Sequence, residues 1–257
     1  MPFEFRLSVI AAVAVVAGGL AGCTHEGFGT NELHYATFSV PEPMGATVHV
    51  CHAYGCKMRT KFTFTPDHIK ELEALMVKTR AGLADDAEQE RRAIAYAIGL
   101  METRVGDKIG TKDDRPGMDF AASGDPTQQD CVDEATNTTS YLTVLANAGL
   151  FRHHTVGTPF AKENYLRGVA GWTHWTAVIV EKKPSDVAKV AEALPLKKTT
   201  KSKSAAPTAP QVAGYIAQPG QRWAVDSWIY ANGENPAIVK AEDWYIASLD
   251  ELPKPKQ

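Results

Sequence analysis

The sequence predicts an α+β fold: a cysteine-bracketed hairpin, then helices, then an antiparallel sheet in the second half of the chain. Three observations carry this. Apolar residues between positions 65 and 149 recur at helical spacing in three blocks, each with start and stop signals. After residue 150 the apolar runs are short and alternate. "ATVHVCHAYGCKMRTKFTF" reads as two strands joined by a tight turn.

The chain opens "MPFEFRLSVIAAVAVVAGGLAGC", where Arg6 precedes an apolar stretch ending in small residues, the anatomy of a secretory signal peptide. Leu20-Ala21-Gly22-Cys23 looks like a bacterial lipobox, which makes Cys23 the lipidated residue. A membrane-spanning anchor is the alternative, but the apolar part is short for a span and carries three glycines. By analogy with other lipoproteins, Thr24 after the cysteine points to the outer membrane, facing the periplasm. The expected organisation is a signal peptide over 1–22, a tether over 23–44, one domain over 45–250 and a tail over 251–257. About 235 residues remain once the signal is removed, enough for one well-packed domain. The net charge of −3 offers no electrostatic case for a nucleic-acid partner; the expected membrane contact is through the lipid.

Four cysteines are present: Cys23, Cys51, Cys56 and Cys131. Cys51 and Cys56 flank the hairpin turn, where facing residues come within disulfide range, and an oxidising compartment closes such a bond. A metal site from His49, Cys51, His52 and Cys56 is the competing reading, but that spacing matches no standard zinc pattern. No metal ligands are therefore assigned. Cys131 is left unpaired.

Thr65-Pro66 opens the first helix with a cap and an N1 proline; Ile69, Leu72 and Met76 form its apolar face, and Gly82 ends it. The second helix runs from about Asp86 to Val105 on Ile94, Ile98, Met101 and Val105, and a polar loop from Gly106 to Gln129 follows. In the third helix Cys131, Ala135, Thr138, Leu142 and Leu145 share a face, with Asp130 as N-cap and Gly149 as stop. Cys131 thus falls in the first turn, where the positive end of the helix favours a thiolate.

Strand-like runs follow at 150–156, 172–183 and 221–233, with a Lys-, Ser-, Ala- and Pro-rich insertion of linker composition at about 184–219. Alternation places His174, Thr176, Val178 and Val180 on one strand face, and Ala224, Asp226, Trp228 and Tyr230 on another. If these strands pair antiparallel, Asp226 comes close enough to hold the His174 imidazole, whose other nitrogen faces the thiol. His153 and His154 are rival bases.

"DCVDEATNTTSYL … GL … THWTAVIV … WAVDSWIY" resembles the transglutaminase-like cysteine protease superfamily, in particular the bacterial transglutaminase-like cysteine proteinases of the periplasm. The resemblance spans about residues 90–246 and implies a papain-like/transglutaminase-like core with the nucleophile helix packed on an antiparallel sheet. It implies Cys131 as nucleophile, His174 as general base and acid, and Asp226 as orienter. Some of these periplasmic proteins bind calcium through acids flanking the cysteine. Here Asp130 matches, but Val132 stands where the second acid would be, with Asp133 and Glu134 after it. No cofactor is expected. Papain-like peptidases and the cell-wall peptidases of the NlpC/P60 type fit less well around the cysteine and the orienter.

The chemistry expected from these residues is acyl transfer on an amide of a peptide or protein in the cell envelope. A backbone N–H at the helix start, joined by Gln128 or Gln129, would steady the oxyanion, with Trp175 beside the histidine at the substrate. Hydrolysis is expected, with transfer to an amine as the alternative. A non-catalytic envelope lipoprotein that keeps the fold for binding is the reading from another class.

Overall fold

The computed structural model describes residues 30–162, 173–183, 220–248 and 251–252. Cys23 and the insertion at 184–219 lie outside them. In order, the elements are α1 (Asn31–Thr37), β1 (Thr47–His52), β2 (Met58–Thr63), α2 (Pro66–Arg80), α3 (Ala87–Ile109) and α4 (Cys131–Asn147). Then come β3 (His154–Val156), β4 (Phe160–Lys162), β5 (His174–Glu181), β6 (Arg222–Asp226), β7 (Ala237–Lys240) and α5 (Ala241–Ile246). The fold is mixed α+β with antiparallel sheets: the β1–β2 hairpin, and a sheet of order β3-β5-β6-β7 in which β4 also pairs with β5. No helix among the described residues is long and apolar enough to cross a membrane.

Local chemistry sets the helix ends. Thr65, Asp86 and Asp130 each accept a first-turn N–H with the side chain, as N-caps do. The second helix outruns its expected end at Val105 and stops at Gly110, whose φ of 94° is open to glycine at little cost. Gly149 likewise lies just past α4 with φ 74°.

Helix α4 is the centre of the molecule. Leu142 and Leu145 join Ile94, Ile98 and Met101 of α3 and Ala177 and Ile179 of β5 in the main core. The opposite side of α4 meets the hairpin and α1, so the helix is buried nearly all round and its polar residues need partners. Asn137 accepts from the Cys51 N–H at 2.7 Å and donates to the Cys51 carbonyl at 2.9 Å. Thr136 bonds His34, Ser140 bonds Tyr35, and Thr138 bonds Ser227. His34 and Tyr35 belong to α1, so the expected tether over 23–44 is, at 31–37, a helix docked on α4.

The hairpin also differs from expectation. Its register sets Cys51 opposite Arg59, so the two cysteines are not a cross-strand pair. Ala53, Tyr54, Gly55 and Cys56 all have positive φ, and this left-handed tip folds Cys56 back onto Cys51. The Cys51–Cys56 disulfide is formed, with Cα atoms 4.5 Å apart. The metal alternative fails on the same geometry: the cysteines are consumed, and His52 bonds the Pro126 carbonyl and the Thr60 hydroxyl. In the second half, β6 ends at Asp226, well before residue 233, and β4, β7 and α5 were not anticipated.

Asn137→Ala should strand the buried Cys51 N–H, while the Cys51 carbonyl keeps its bond from Gln129. A loss of about 1–3 kcal/mol is expected for that one unpaired group, measured as the shift in urea midpoint.

Candidate active site

Strand β5 delivers two neighbours to the start of α4. The Cys131 thiol donates to the Thr173 carbonyl at 3.5 Å, and the backbone N–H of Trp175 points at the same sulfur. Between them, His174 donates from Nε2 to Asp226 Oδ2 at 2.7 Å. The β5–β6 register, Ala177 opposite Val225, extrapolates to Thr176 opposite Asp226. His174 and Asp226 are therefore a diagonal pair on one face, not the directly opposed pair that alternation implied.

Trp244 of α5, which sequence reasoning missed, donates its indole N–H to the same Oδ2 at 2.7 Å and helps fix the carboxylate. Its ring lies 5.2 Å from the imidazole, and the Trp228 ring lies at 4.6 Å. Nothing in periodicity singles out Trp244. The only signal was a large aromatic shortly after the strand that carries the acid.

With Nε2–H committed to Asp226, the neutral ring presents a bare lone pair at Nδ1. That atom is buried and has no hydrogen-bond partner among the described residues. Cys131, His174 and Asp226 are 4 %, 4 % and 1 % exposed. The thiol in this arrangement is bonded to the Thr173 carbonyl and not to the imidazole.

The rival bases are excluded by position. His154 sits opposite Glu181, at the far end of β5, roughly 23 Å from His174 at about 3.3 Å per residue. It bonds Glu90, and His153 bonds Asp85. The glutamines are also occupied elsewhere. Gln128 accepts from the Arg115 N–H and donates to the Asp113 carbonyl, while Gln129 donates to the Cys51 carbonyl. The Gln128 amide is held by loop acceptors, and the Gln129 amide gives one of its N–H groups to the Cys51 carbonyl. The Trp175 ring packs on His34 and Phe38 of α1, at 5.4 and 5.7 Å, on the opposite strand face from His174.

The expected activation of the thiol by the helix end is outweighed. Burial pushes the Cys131 thiol up, with Asp130, Asp226 and Asp133 adding to the effect and the Trp175 N–H opposing it. The cap adds to the effect of burial. Asp130 takes the N–H groups of Val132 and Asp133, so a carboxylate already occupies the positive end of the helix.

Asp130 and Asp133 also receive the hairpin tip: Tyr54 and Cys56 donate their N–H groups to Asp133 at 2.8 and 2.6 Å, and Gly55 donates to Asp130 at 2.9 Å. These oxygens meet N–H donors, which repel a cation. The residues present do not fit calcium.

Behind the site, Glu134 accepts from Ser227, the neighbour of Asp226, at 3.1 Å, and Glu102 accepts from the Gly233 N–H at 3.1 Å. Burial raises Glu102 to about 8 and Asp114 to about 7, and pushes Glu134 well up. Comparison with protein-family models, curated proteins and solved structures finds no match to this chain.

A carboxyl raised by folding binds more protons in the native state than in the unfolded one. Its stabilising contribution is complete below its ordinary value of 4.5 and is lost as pH rises through about 8 for Glu102. These carboxyls therefore push stability down from pH 5 to pH 8, by at most about 1.4 kcal/mol per pH unit for each group, against the rise that buried His34, lowered to about 4, contributes below its ordinary value of 6.5. Glu102→Gln should flatten that slope in urea titrations across the range.

Proposed function

We propose that the protein is a cysteine hydrolase that cleaves amide bonds through Cys131, His174 and Asp226, on a papain-like/transglutaminase-like core. The observation that carries this reading is the buried His174–Asp226 pair with a lone pair left at Nδ1, one residue from the carbonyl that holds the Cys131 thiol. For turnover the S–H leaves the Thr173 carbonyl and turns to Nδ1, which takes its proton as sulfur attacks the substrate carbonyl. Asp226 stabilises the imidazolium, and the indole N–H of Trp244 keeps the carboxylate aimed.

The cap and the helix carbonyl ladder use the N–H groups of Val132, Asp133 and Glu134, so the N–H of Cys131 is the first-turn donor left for an oxyanion. The imidazolium then protonates the leaving amine, and water releases the acid. The closed Cys51–Cys56 bond and the lipobox-like segment at Cys23 support placement in an oxidising cell envelope, lipid-anchored, with envelope peptides or proteins as substrates.

One observation favours a second reading, a non-catalytic lipoprotein that keeps the fold for binding: the thiol is buried and its proton is held by a backbone carbonyl.

Alkylation by iodoacetamide separates the two. The catalytic reading expects Cys131 in the folded protein to label with a pH profile that His174→Ala shifts and Trp244→Phe slows. Amide-cleaving turnover on envelope peptides should disappear in Cys131→Ala and fall about 10²–10⁴-fold in His174→Ala. Stability of Cys131→Ala should stay within about 1–2 kcal/mol of wild type. A thiol that labels only on unfolding establishes the binding protein instead.

A further inference from the structure

We propose that the Cys51–Cys56 disulfide is a redox control on the first turn of α4: it holds the hairpin tip that counter-charges Asp130 and Asp133, and its reduction releases that turn. The regulatory consequence rests on the reading of Cys131 as nucleophile; the structural link does not.

The tip is not held by local preference. Four successive residues have positive φ, and three of them, Ala53, Tyr54 and Cys56, carry a Cβ that disfavours it by roughly 1–2 kcal/mol each. What opposes that cost is the covalent loop and the row of N–H bonds it presents. Successive N–H groups of such a turn form a concave anion site. Here they receive two carboxylates of the chain itself, at 2.8, 2.9 and 2.6 Å from Tyr54, Gly55 and Cys56.

The same carboxylates form the reciprocal cap of α4. Asp130 accepts from Asp133 N–H, and Asp133 accepts from Asp130 N–H. Among the described residues no lysine or arginine forms an ion pair with either acid. The tip supplies the compensation that a bound cation would give elsewhere, and Val132, between the two acids, packs against the cluster of Tyr35, Val40, Cys51 and Cys56.

Reduction by a dithiol breaks the S–S bond. Two electrons and two protons pass to Cys51 and Cys56 as thiols, and the reductant leaves as its own disulfide. The left-handed residues are then free to relax, their N–H groups withdraw, and two neighbouring acids face each other in the turn that carries Cys131.

The test is hydrogen exchange on the full chain, oxidised, reduced with dithiothreitol, and as the double variant Cys51→Ser with Cys56→Ser. Amides at 54–56 and 132–134 should exchange at least about ten-fold faster once the bond is gone, with the α3 core unchanged. Adding calcium or a chelator to the oxidised protein should change nothing. Unchanged exchange at 132–134 in the reduced protein overturns the proposal, as does a bond that dithiothreitol cannot open in the folded state, or a chelator effect on the oxidised form. If the double variant does not fold, reduced wild type gives the same reading. Repeating the measurement in Cys131→Ala keeps this result independent of whether the protein is an enzyme.

Discussion

Near-complete burial of α4 is the constraint on which the rest of the molecule depends. A helix covered on nearly every side cannot leave hydroxyl and amide groups to water, so each polar side chain must meet a chosen partner. Asn137 holds the Cys51 peptide, Thr136 and Ser140 hold α1, and Thr138 reaches Ser227 beside the sheet. These bonds are directional where apolar packing is not. They set the rotation of the helix about its axis, and so decide that residue 131 meets the beginning of β5.

The electrostatics around that meeting point run against a simple picture of an activated thiol. Five carboxyls, Glu102, Asp114, Asp130, Asp133 and Glu134, lie close together with little positive charge among them, and burial pushes all of them up. Such surroundings hold protons and disfavour a further buried anion. The Cys131 thiol is pushed up in the same setting.

Much of this was legible in the sequence, and the parts that were not share a cause. Helix starts at Thr65, Asp86 and Asp130 were readable because cap residues act locally. His174 and Asp226 were readable because strand alternation puts each on a defined face, although the diagonal offset depends on register, which no local pattern encodes. Gln128 and Gln129 looked free because their acceptors, the Asp113 and Cys51 carbonyls, lie 15 and 78 residues away. The same distance hid α1 and Trp244, whose roles exist only through contacts with remote parts of the chain. The Cys51–Cys56 pairing was reached through an assumed cross-strand geometry; the left-handed tip that actually makes it depends on acceptors in α4.

Trp244 carries a consequence for how the molecule comes into being. The group that steadies Asp226 lies 113 positions after Cys131, on a short helix that docks on β6 and β7. A chain emerging from its amino end assembles the helix of Cys131 and the hairpin well before that indole exists. Until then the carboxylate lacks one of its two donors and the imidazole lacks one of its two aromatic walls. The site is therefore an end product of maturation, withheld from a nascent chain and coupled to closure of the last sheet edge.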